Sequence, residues 1–303
     1  MKYLSLPLLI VLLGLTAPAA AEQPPAAIIE QTVTYTVVKG DTLMRIGARL
    51  GVDWKRLARE NSIDPRKPLK PGVVLKTSIR RIVPRTIENG IIINIPEKML
   101  YFFKDGALAG VFPVGLGMPF WNGMTRWRTP VGPFKVICKE KNPTWYVPES
   151  MQLKMDMEGK EVKTVVPPGP DNPLGRYKIK TSIPGIVIHE TIWPSSVYQF
   201  MSHGCIRMLP EHMEKFFPEV EITARGEVIY DPVKLARSAD GRIFLEVHRD
   251  VYGRVPGMKA AARRLIEESG AAGRVDWNAV DRLLHEKSGV AEDITGWSRG
   301  EIF

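Results

Sequence analysis

Short apolar runs separated by turn residues dominate the middle of the chain from Ile87 onward. Two of these runs span residues 91–95 and 99–103, and Lys104-Asp105-Gly106 follows as a turn before the next run. Runs of this length, spaced this closely, indicate paired strands rather than helices. The pattern therefore predicts a mainly β domain built on an antiparallel sheet.

A different pattern precedes this domain and predicts a small α+β module. Residues 33–37 alternate as a strand does, two short helical patterns follow, and a second strand pattern covers residues 73–76. Asp41 and Asp53 stand at the expected N-caps of the two helices, where a side-chain oxygen accepts a hydrogen bond from a free helical N–H group. The predicted order is strand, helix, helix, strand (βααβ).

Residues 234–303 predict a C-terminal extension with one strand and two helices. The strand pattern covers Ile243–Val247, and the helical patterns cover residues 260–268 and 277–285. We expect this helix pair to pack on the central sheet or on a partner, and the sequence assigns it no function.

The first 21 residues have the pattern of a secretory signal peptide. Lys2 gives a charged start, residues 4–15 are apolar, and Ala19-Ala20-Ala21 supply small residues at a cleavage point. A membrane anchor would need about 20 apolar residues, and Pro7 interrupts this shorter stretch. We therefore expect export, with cleavage near Ala21.

Composition and charge agree with an exported protein of several units. The chain has 303 residues, 44% of them hydrophobic, which suffices for two or three units with buried cores. We expect units at 34–78, 89–233 and 234–303, with linkers at 22–33 and 79–88. The net charge of +9 suits an anionic surface such as a cell wall. Because no dense Lys/Arg block with interleaved aromatic residues is present, we expect no nucleic-acid binding.

The strongest candidate for chemistry is the run Ser202-His203-Gly204-Cys205-Ile206-Arg207, together with His189, which follows an apolar strand pattern. A cysteine attacks a carbonyl carbon only as its thiolate and therefore needs a base or a lowered pKa. A glycine beside it allows a tight turn that points N–H groups at one spot, as an oxyanion hole requires. Two alternatives stay open at this point: a zinc site formed by His189, His203 and Cys205, or simple core packing.

Cys138 is the other of the two cysteines, and it lies in an alternating strand pattern. We expect it to be a small buried hydrophobe. A Cys138–Cys205 disulfide, which export would permit, would silence the candidate nucleophile.

Residues 139–177 form a long, proline-rich and irregular stretch that contains Trp145 and Tyr146. A loop of this length inside a compact domain is usually functional or disordered. Aromatic residues among prolines favour an ordered cover over a substrate cleft, with a surface excursion as the alternative.

The N-terminal module resembles a LysM domain. The sequence motifs typical of that family occur here in the same order: Tyr35-Thr36-Val37, Lys39-Gly40-Asp41-Thr42-Leu43, Asn61 and Leu69-Lys70-Pro71-Gly72. The resemblance implies binding to N-acetylglucosamine-containing glycans, here peptidoglycan.

The run around Cys205, with the upstream Ile188-His189, resembles the signature of the L,D-transpeptidase catalytic domain, or YkuD domain. Further similarity extends over about 91–233 and includes Thr129-Pro130-Val131-Gly132-Pro133-Phe134, Asn142-Pro143-Thr144-Trp145 and Ser182-Ile183-Pro184-Gly185. The resemblance implies a mixed β-sandwich with short helices, a periplasmic location, and no metal or cofactor.

The resemblance also implies a role for each residue of the signature. Cys205 would attack the diaminopimelate carbonyl of a peptidoglycan tetrapeptide, and His189 would take the thiol proton. His203 would shape the site or assist proton transfer, Ser202 would brace the turn, and Gly204 and Cys205 would donate N–H groups to the oxyanion. Arg207 would bind a substrate carboxylate.

The second substrate is left open by the sequence. The acyl group would pass to an amine, either in a 3-3 cross-link or on an outer-membrane lipoprotein. The alternatives are a trimming hydrolase that uses the same acyl-enzyme, and a wall-binding scaffold with an inert cysteine. One residue departs from the family pattern: Glu190 follows His189 where close relatives carry Gly. Its carboxylate is expected to narrow the cleft or to raise the imidazole pKa.

Overall fold

The computed structural model of the protein describes residues 27–120 and 127–296, so the predicted signal peptide at 1–21 lies outside the described part. In those two ranges, no helix has the combined length and apolar character that crossing a membrane requires.

The N-terminal module has the predicted order of strand, helix, helix, strand. Its elements are β1 (Ile28–Thr36), α1 (Leu43–Leu50), α2 (Trp54–Glu60) and β2 (Val74–Ile82), and the two strands pair antiparallel. Both strands are longer than their sequence patterns, because their paired ends extend the sheet into the segments expected to be linkers at 22–33 and 79–88.

One helix cap differs from the prediction. Asp53 caps α2 as expected, accepting hydrogen bonds from the backbone N–H groups of Lys55 and Arg56. The cap of α1, however, is Thr42 rather than Asp41. The Asp41 carboxylate instead accepts hydrogen bonds from the Tyr35 hydroxyl at 2.8 Å and from the Val38 N–H group at 2.9 Å.

The central domain is mainly β, as predicted, with short helices. Its strands are β3 (Gly90–Asn94), β4 (Met99–Lys104), β5 (Ala107–Pro113), β6 (Leu116–Gly117), β7 (Gly132–Lys141), β8 (Trp145–Tyr146), β9 (Val165–Val166), β10 (Tyr177–Thr181), β11 (Val187–Glu190), β12 (Phe200–Ser202), β13 (Ile206–Met208) and β14 (Arg225–Ile229). Its helices are α3 (Glu149–Met157) and α4 (Pro210–Glu219).

Eight of these strands form one sheet in the order β13-β11-β10-β7-β14-β3-β4-β5. The sheet is mixed rather than antiparallel throughout, as the apolar pattern alone had suggested, because β14 pairs parallel with β3 and β11 pairs parallel with β13. Parallel strands are joined by long crossover connections, so a local apolar pattern does not indicate which distant strand is the partner.

Both faces of the eight-stranded sheet are buried, which explains its continuous apolar runs. Ile91 and Ile93 point into one core, which α4 covers with Phe216. Ile92, between them, points into a second core, to which Ala48 of α1 contributes. The N-terminal module therefore packs directly against the central domain.

The C-terminal extension contains β15 (Val233–Arg237), β16 (Ile243–Val247), α5 (Met258–Glu268), α6 (Trp277–Glu286) and β17 (Glu292–Asp293). The three strands form a separate sheet in the order β15-β16-β17, and the helices bury Ile266 and Leu283 against it. The predicted strand and helices are present, while β15 and β17 had not been predicted.

A buried charged cluster joins this extension to the rest of the protein. The Lys234 Nζ atom lies 2.8 Å from Glu97 Oε2 and 3.0 Å from Glu246 Oε1. It also donates a hydrogen bond to the backbone carbonyl of Ile82 at 2.6 Å. Since these residues come from the N-terminal, central and C-terminal units, the cluster fixes all three together.

Candidate active site

The pairing of β11 with β13 brings the candidate residues to one side of the sheet. The two strands run parallel, with His189 directly opposite Arg207. Side chains of paired residues point to the same face, and residues two apart on a strand share a face. Cys205 immediately precedes β13, and the charge of Arg207 acts on both the Cys205 thiol and the His189 ring, which places the three side chains on the same side.

A backbone hydrogen bond orients the buried His189 ring, which is 4% exposed. Its Nδ1 atom lies 2.6 Å from the backbone carbonyl oxygen of Glu190. Because a carbonyl oxygen can only accept, Nδ1 carries the proton in this contact. The lone pair then belongs to Nε2, the nitrogen that a general base needs.

The surroundings of His189 keep the imidazole neutral. Burial, reinforced by the positive charge of Arg207, lowers its pKa to about 3, and the hydrogen bond to Glu190 opposes this shift only in part. The ring is consequently free of a second proton throughout the neutral pH range.

The Cys205 thiol is half-buried and also neutral at rest. Burial raises its pKa, while a backbone hydrogen bond from Val187 and the charge of Arg207 act in the opposite direction. The Sγ atom lies 3.5 Å from the carbonyl oxygen of Gly185, which suits a thiol donor. Thiol and imidazole thus stand as a neutral acid and a neutral base.

Two hydrogen bonds from one serine close the turn before Cys205. The Ser202 hydroxyl donates to the Cys205 carbonyl at 2.6 Å and accepts from the Gly204 N–H group at 3.2 Å. Gly204 has φ = +110°, and an added Cβ would lie 3.1 Å from Ile186 Cδ1, so glycine is required here. In this state the Gly204 N–H group is engaged by Ser202 instead of pointing freely toward an oxyanion.

A second layer of hydrogen bonds lies behind this turn. The Thr129 hydroxyl donates to the Gly204 carbonyl at 2.9 Å, and the Thr129 N–H group donates to the Tyr252 hydroxyl at 3.1 Å. Tyr252 in turn donates to the Gly117 carbonyl at 2.7 Å. Thr129 opens one of the matched sequence segments, but no sequence signal pointed to Tyr252, which comes from the C-terminal extension.

His203 and Arg207 flank the turn against tryptophans. The His203 ring meets Trp127 edge-on, with ring centroids 4.0 Å apart. The Arg207 guanidinium lies 5.6 Å from the ring centroid of Trp193 and makes no ion pair within the described ranges. Burial lowers the pKa of this guanidinium. Among the described residues, Arg207 is therefore a cation with an aromatic neighbour and no carboxylate partner.

A cavity of 600 Å³ opens at Cys205, and ligand sites usually measure about 300 to 1,000 Å³. Its walls include Trp145, Tyr146 and Pro148, which belong to the proline-rich stretch at 139–177. That stretch is more regular than the sequence suggested, since it contains α3 and the β8–β9 pair. The stretch covers one side of the cavity, in agreement with the predicted cover.

Glu190 points away from this cavity. Neighbouring residues on a strand face opposite sides, and the Glu190 carboxylate lies 3.2 Å from Arg176 Nε. The Nη2 atom of the same arginine bridges to Glu214 on α4. The expected narrowing of the cleft and the expected rise of the imidazole pKa are both wrong, because the side chain lies on the opposite face of β11.

The geometry also decides between the remaining alternatives. Cys138 and Cys205 are both free thiols, and Cys138 is half-buried with Sγ 3.7 Å from Glu140 Oε1 rather than packed in a core. Within the described ranges, the ligand atoms of His189, His203 and Cys205 do not all come within 4.8 Å of one another. These three residues therefore do not form the geometry of a zinc site.

Comparison with known proteins places both domains in families. Residues 88–235 match the model of the L,D-transpeptidase catalytic domain (YkuD), and residues 35–78 match that of the LysM domain. The Escherichia coli protein named "Probable L,D-transpeptidase YbiS" is 31% identical over 225 residues, covering 73% of this chain and 71% of that protein.

Similarity to a second relative extends over nearly the full length. "Probable L,D-transpeptidase ErfK/SrfK" of Salmonella typhimurium is 30% identical over 293 residues, covering 91% of each chain. A solved L,D-transpeptidase structure from Mycobacterium tuberculosis aligns at 18% identity with a TM-score of 0.35, covering 54% of this chain and 74% of that one. On the sequence matches, the chain belongs to the L,D-transpeptidase family and carries a LysM domain ahead of its YkuD catalytic domain.

Proposed function

We propose that this protein is a periplasmic, cysteine-dependent L,D-transpeptidase that passes the acyl group of a peptidoglycan tetrapeptide to an amine. The observation that carries the proposal is the arrangement of two neutral groups on one side of the sheet: the Cys205 thiol and the His189 imidazole, whose Nε2 lone pair is fixed by the Glu190 carbonyl. Export would follow from the signal-peptide pattern at 1–21.

In the acylation step, His189 Nε2 takes the proton from the Cys205 thiol while Sγ attacks the carbonyl carbon of the diaminopimelate L-centre. The C–N bond to the terminal D-alanine then breaks, and the imidazolium returns its proton to the departing amine. This leaves a thioester on Cys205 and a neutral His189. Arg207, with its charge unpaired by described carboxylates, would hold a substrate carboxylate.

The backbone around Cys205 would stabilise the oxyanion of each tetrahedral intermediate. Since Ser202 engages the Gly204 N–H group, the Cys205 N–H group is the first donor, and the Gly204 group joins it only if the Ser202 hydroxyl releases it. Ser202 would thereby brace the turn, and His203, packed on Trp127, would shape the wall beside it.

In the second step an amine attacks the thioester and loses a proton to His189, and the thiol is regenerated. A second stem peptide gives a 3-3 cross-link, a lysine of an outer-membrane lipoprotein gives protein attachment, and water gives trimming. The cover formed by Trp145 and Tyr146 over the cavity supports transfer, because it limits the access of water to the thioester.

The test is to incubate the mature protein with tetrapeptide muropeptides and to follow the products by mass spectrometry. We expect a Cys205 thioester, free D-alanine and cross-linked dimers. Cys205→Ala should abolish all three, and the matched control Cys138→Ala should retain them. Tripeptide without dimers would point to hydrolysis, unless a lysine-ended peptide restores transfer. Full activity of Cys205→Ala would refute the mechanism. Absence of all activity in the wild type would favour the alternative of a wall-binding scaffold with an inert cysteine.

A further inference from the structure

A second cleft, of 520 Å³, lies where the three units of the protein meet. One wall is α2 of the LysM domain, the next is the segment 198–200 of the catalytic domain, and the third is the turn at 286–289 in the C-terminal extension. We name it the junction cleft. It does not include Cys205 or the walls of the active-site cavity.

The junction cleft carries an excess of positive charge that the protein does not neutralise. Six cationic side chains line it, against two carboxylates. Within the described ranges, five of the six make no ion pair: Lys55, Arg59, Lys98, Arg249 and Lys287. The sixth, Arg56, pairs with Glu60.

The two carboxylates of the cleft already make hydrogen bonds or an ion pair within the protein. Asp53 accepts the capping hydrogen bonds at the start of α2, and Glu286 pairs with Arg282 at 3.2 Å. Asp53 also attracts Lys98, but two carboxylates against six cations leave the cleft with a net positive charge. An anionic ligand would supply the missing negative charge.

Lys98 is a cation of the cleft that lies against aromatic rings rather than against a carboxylate. The side chain is half-buried, and its Nζ atom lies 4.4 Å from the ring centroid of Tyr198 and 5.2 Å from that of Phe200. Burial lowers its pKa to about 8, the charges of Asp53 and Glu97 oppose this shift in part, and Arg249 adds to it. Aromatic faces hold the ammonium in place, and a bound anion would offset the part of its desolvation that Asp53 and Glu97 leave uncompensated.

We infer that the junction cleft binds a multivalent anion, and that its source is the carboxylates of a peptidoglycan stem peptide. This source rests on the proposed function. The LysM domain forms one wall, so a wall polymer held by that domain would lie close to the cleft. The aromatic rings of Trp54, Tyr198 and Phe200 suit a sugar or peptide backbone between the charged groups.

The position of the cleft also connects it to the nucleophile turn. Phe200 lines the cleft and begins β12, and Ser202, which closes the turn at Cys205, ends the same strand. A stem peptide bound in the cleft would thus be held by a strand that leads to the active site, but outside the cavity where acylation occurs.

The experiment measures binding of a disaccharide tetrapeptide to the full mature Cys205→Ser protein by calorimetry, at low and high salt. The cleft variant combines Lys55→Gln with Lys287→Asn, because asparagine tolerates the left-handed conformation of residue 287, at φ = 50°. The control combines Lys215→Gln with Arg237→Gln, two exposed cations outside the cleft, and removes the same charge.

We expect the cleft variant to bind the stem peptide about tenfold more weakly at low salt, because it lacks two charge contacts. Its affinity should also depend less on salt concentration than that of the wild type. The control should bind as the wild type does. Equal binding by the cleft and control variants would overturn the inference.

Two further probes identify the source of the anion. A stem peptide whose carboxylates are amidated should lose the dependence on Lys55 and Lys287, and unchanged dependence would overturn the carboxylate assignment. If the cleft variant loses binding of inorganic pyrophosphate but not of the stem peptide, the natural ligand is a phosphate and the stem-peptide source is wrong. Turnover by the unmodified protein is measured separately, so failure of the proposed function is recognised by absence of the Cys205 thioester, whatever the binding result.

Discussion

The imidazole Nδ1 of His189 lies 2.6 Å from the backbone carbonyl oxygen of Glu190, so the orientation of the proposed base depends on the main chain. A backbone partner cannot be removed by changing its side chain. The Glu190 side chain, meanwhile, faces the opposite side of β11 and pairs with Arg176. The two parts of one residue therefore have separable roles.

Glu190→Gln is expected to leave turnover within about twofold of the wild type, because the carbonyl that orients His189 is retained. Stability should change by about 1 kcal/mol, since an amide still accepts a hydrogen bond from Arg176. Steady-state kinetics and urea denaturation measure the two effects. A large loss of turnover at unchanged stability would show that the carboxylate itself takes part in the reaction.

His189→Gln removes the proposed base and should lower the acylation rate by about 10²- to 10⁴-fold. It should also change the acid stability of the protein. The folded-state pKa of His189, about 3, lies below its ordinary value of 6.5, so this residue contributes stability that is present above pH 6.5 and is lost as pH falls toward 3. Urea denaturation from pH 7 to pH 4 should show a shallower loss in the variant than in the wild type.

Alkylation of Cys205 by iodoacetamide should accelerate as pH rises, without a plateau at neutral pH, because burial raises the thiol pKa. Arg207→Gln removes a charge that favours the thiolate, so alkylation of this variant should be slower at the same pH. Performing both measurements in a Cys138→Ala background confines the signal to one thiol. A neutral-pH plateau would instead indicate a preformed thiolate–imidazolium pair.

Tyr252→Phe tests whether the C-terminal extension positions the nucleophile turn. The change retains the ring but leaves the Gly117 carbonyl and the Thr129 N–H group without their hydroxyl partner. We expect a loss of about 2 kcal/mol in stability, a lower kcat with little change in KM, and slower alkylation of Cys205.

Tyr101→Phe is the matched control for this variant, because it removes another buried hydroxyl, bonded to Glu97, in the second core. It should lower stability while retaining kcat. Equal effects of the two variants on kcat would mean that Tyr252 acts through stability alone.

Glu246→Gln should destabilise the protein by about 3 to 5 kcal/mol, because it removes one partner from a buried charged group. Burial alone would raise the pKa of Glu246, but Lys234 and His248 hold it below the ordinary value. The surface control Asp240→Asn, whose side chain is 56% exposed, should change stability by less than about 1 kcal/mol. Chemical denaturation that reports on all three units distinguishes global from local unfolding.

The sequence by itself determined the local features. Apolar runs broken by turns predicted the mainly β domain, the pattern at 33–76 predicted the βααβ module, and the run around Cys205 predicted where chemistry would occur. These features depend on residues close together in the chain, such as Gly204, whose positive φ the tight turn requires. Even so, a local pattern did not fix the cap of α1, because Thr42 and Asp41 are both capable of capping.

Only the tertiary structure decided the relations between distant segments. The parallel pairing of β11 with β13 sets His189 opposite Arg207, and the fold brings Tyr252 to Thr129 from 123 residues away. Glu190 shows the difference most clearly. Its place in the sequence, beside the base, suggested a carboxylate in the cleft. Because neighbouring residues on a strand face opposite sides, the carboxylate lies on the other face of β11, where it pairs with Arg176 beside α4. Sequence adjacency is a statement about the chain, whereas electrostatic and steric effects follow distance in the folded protein.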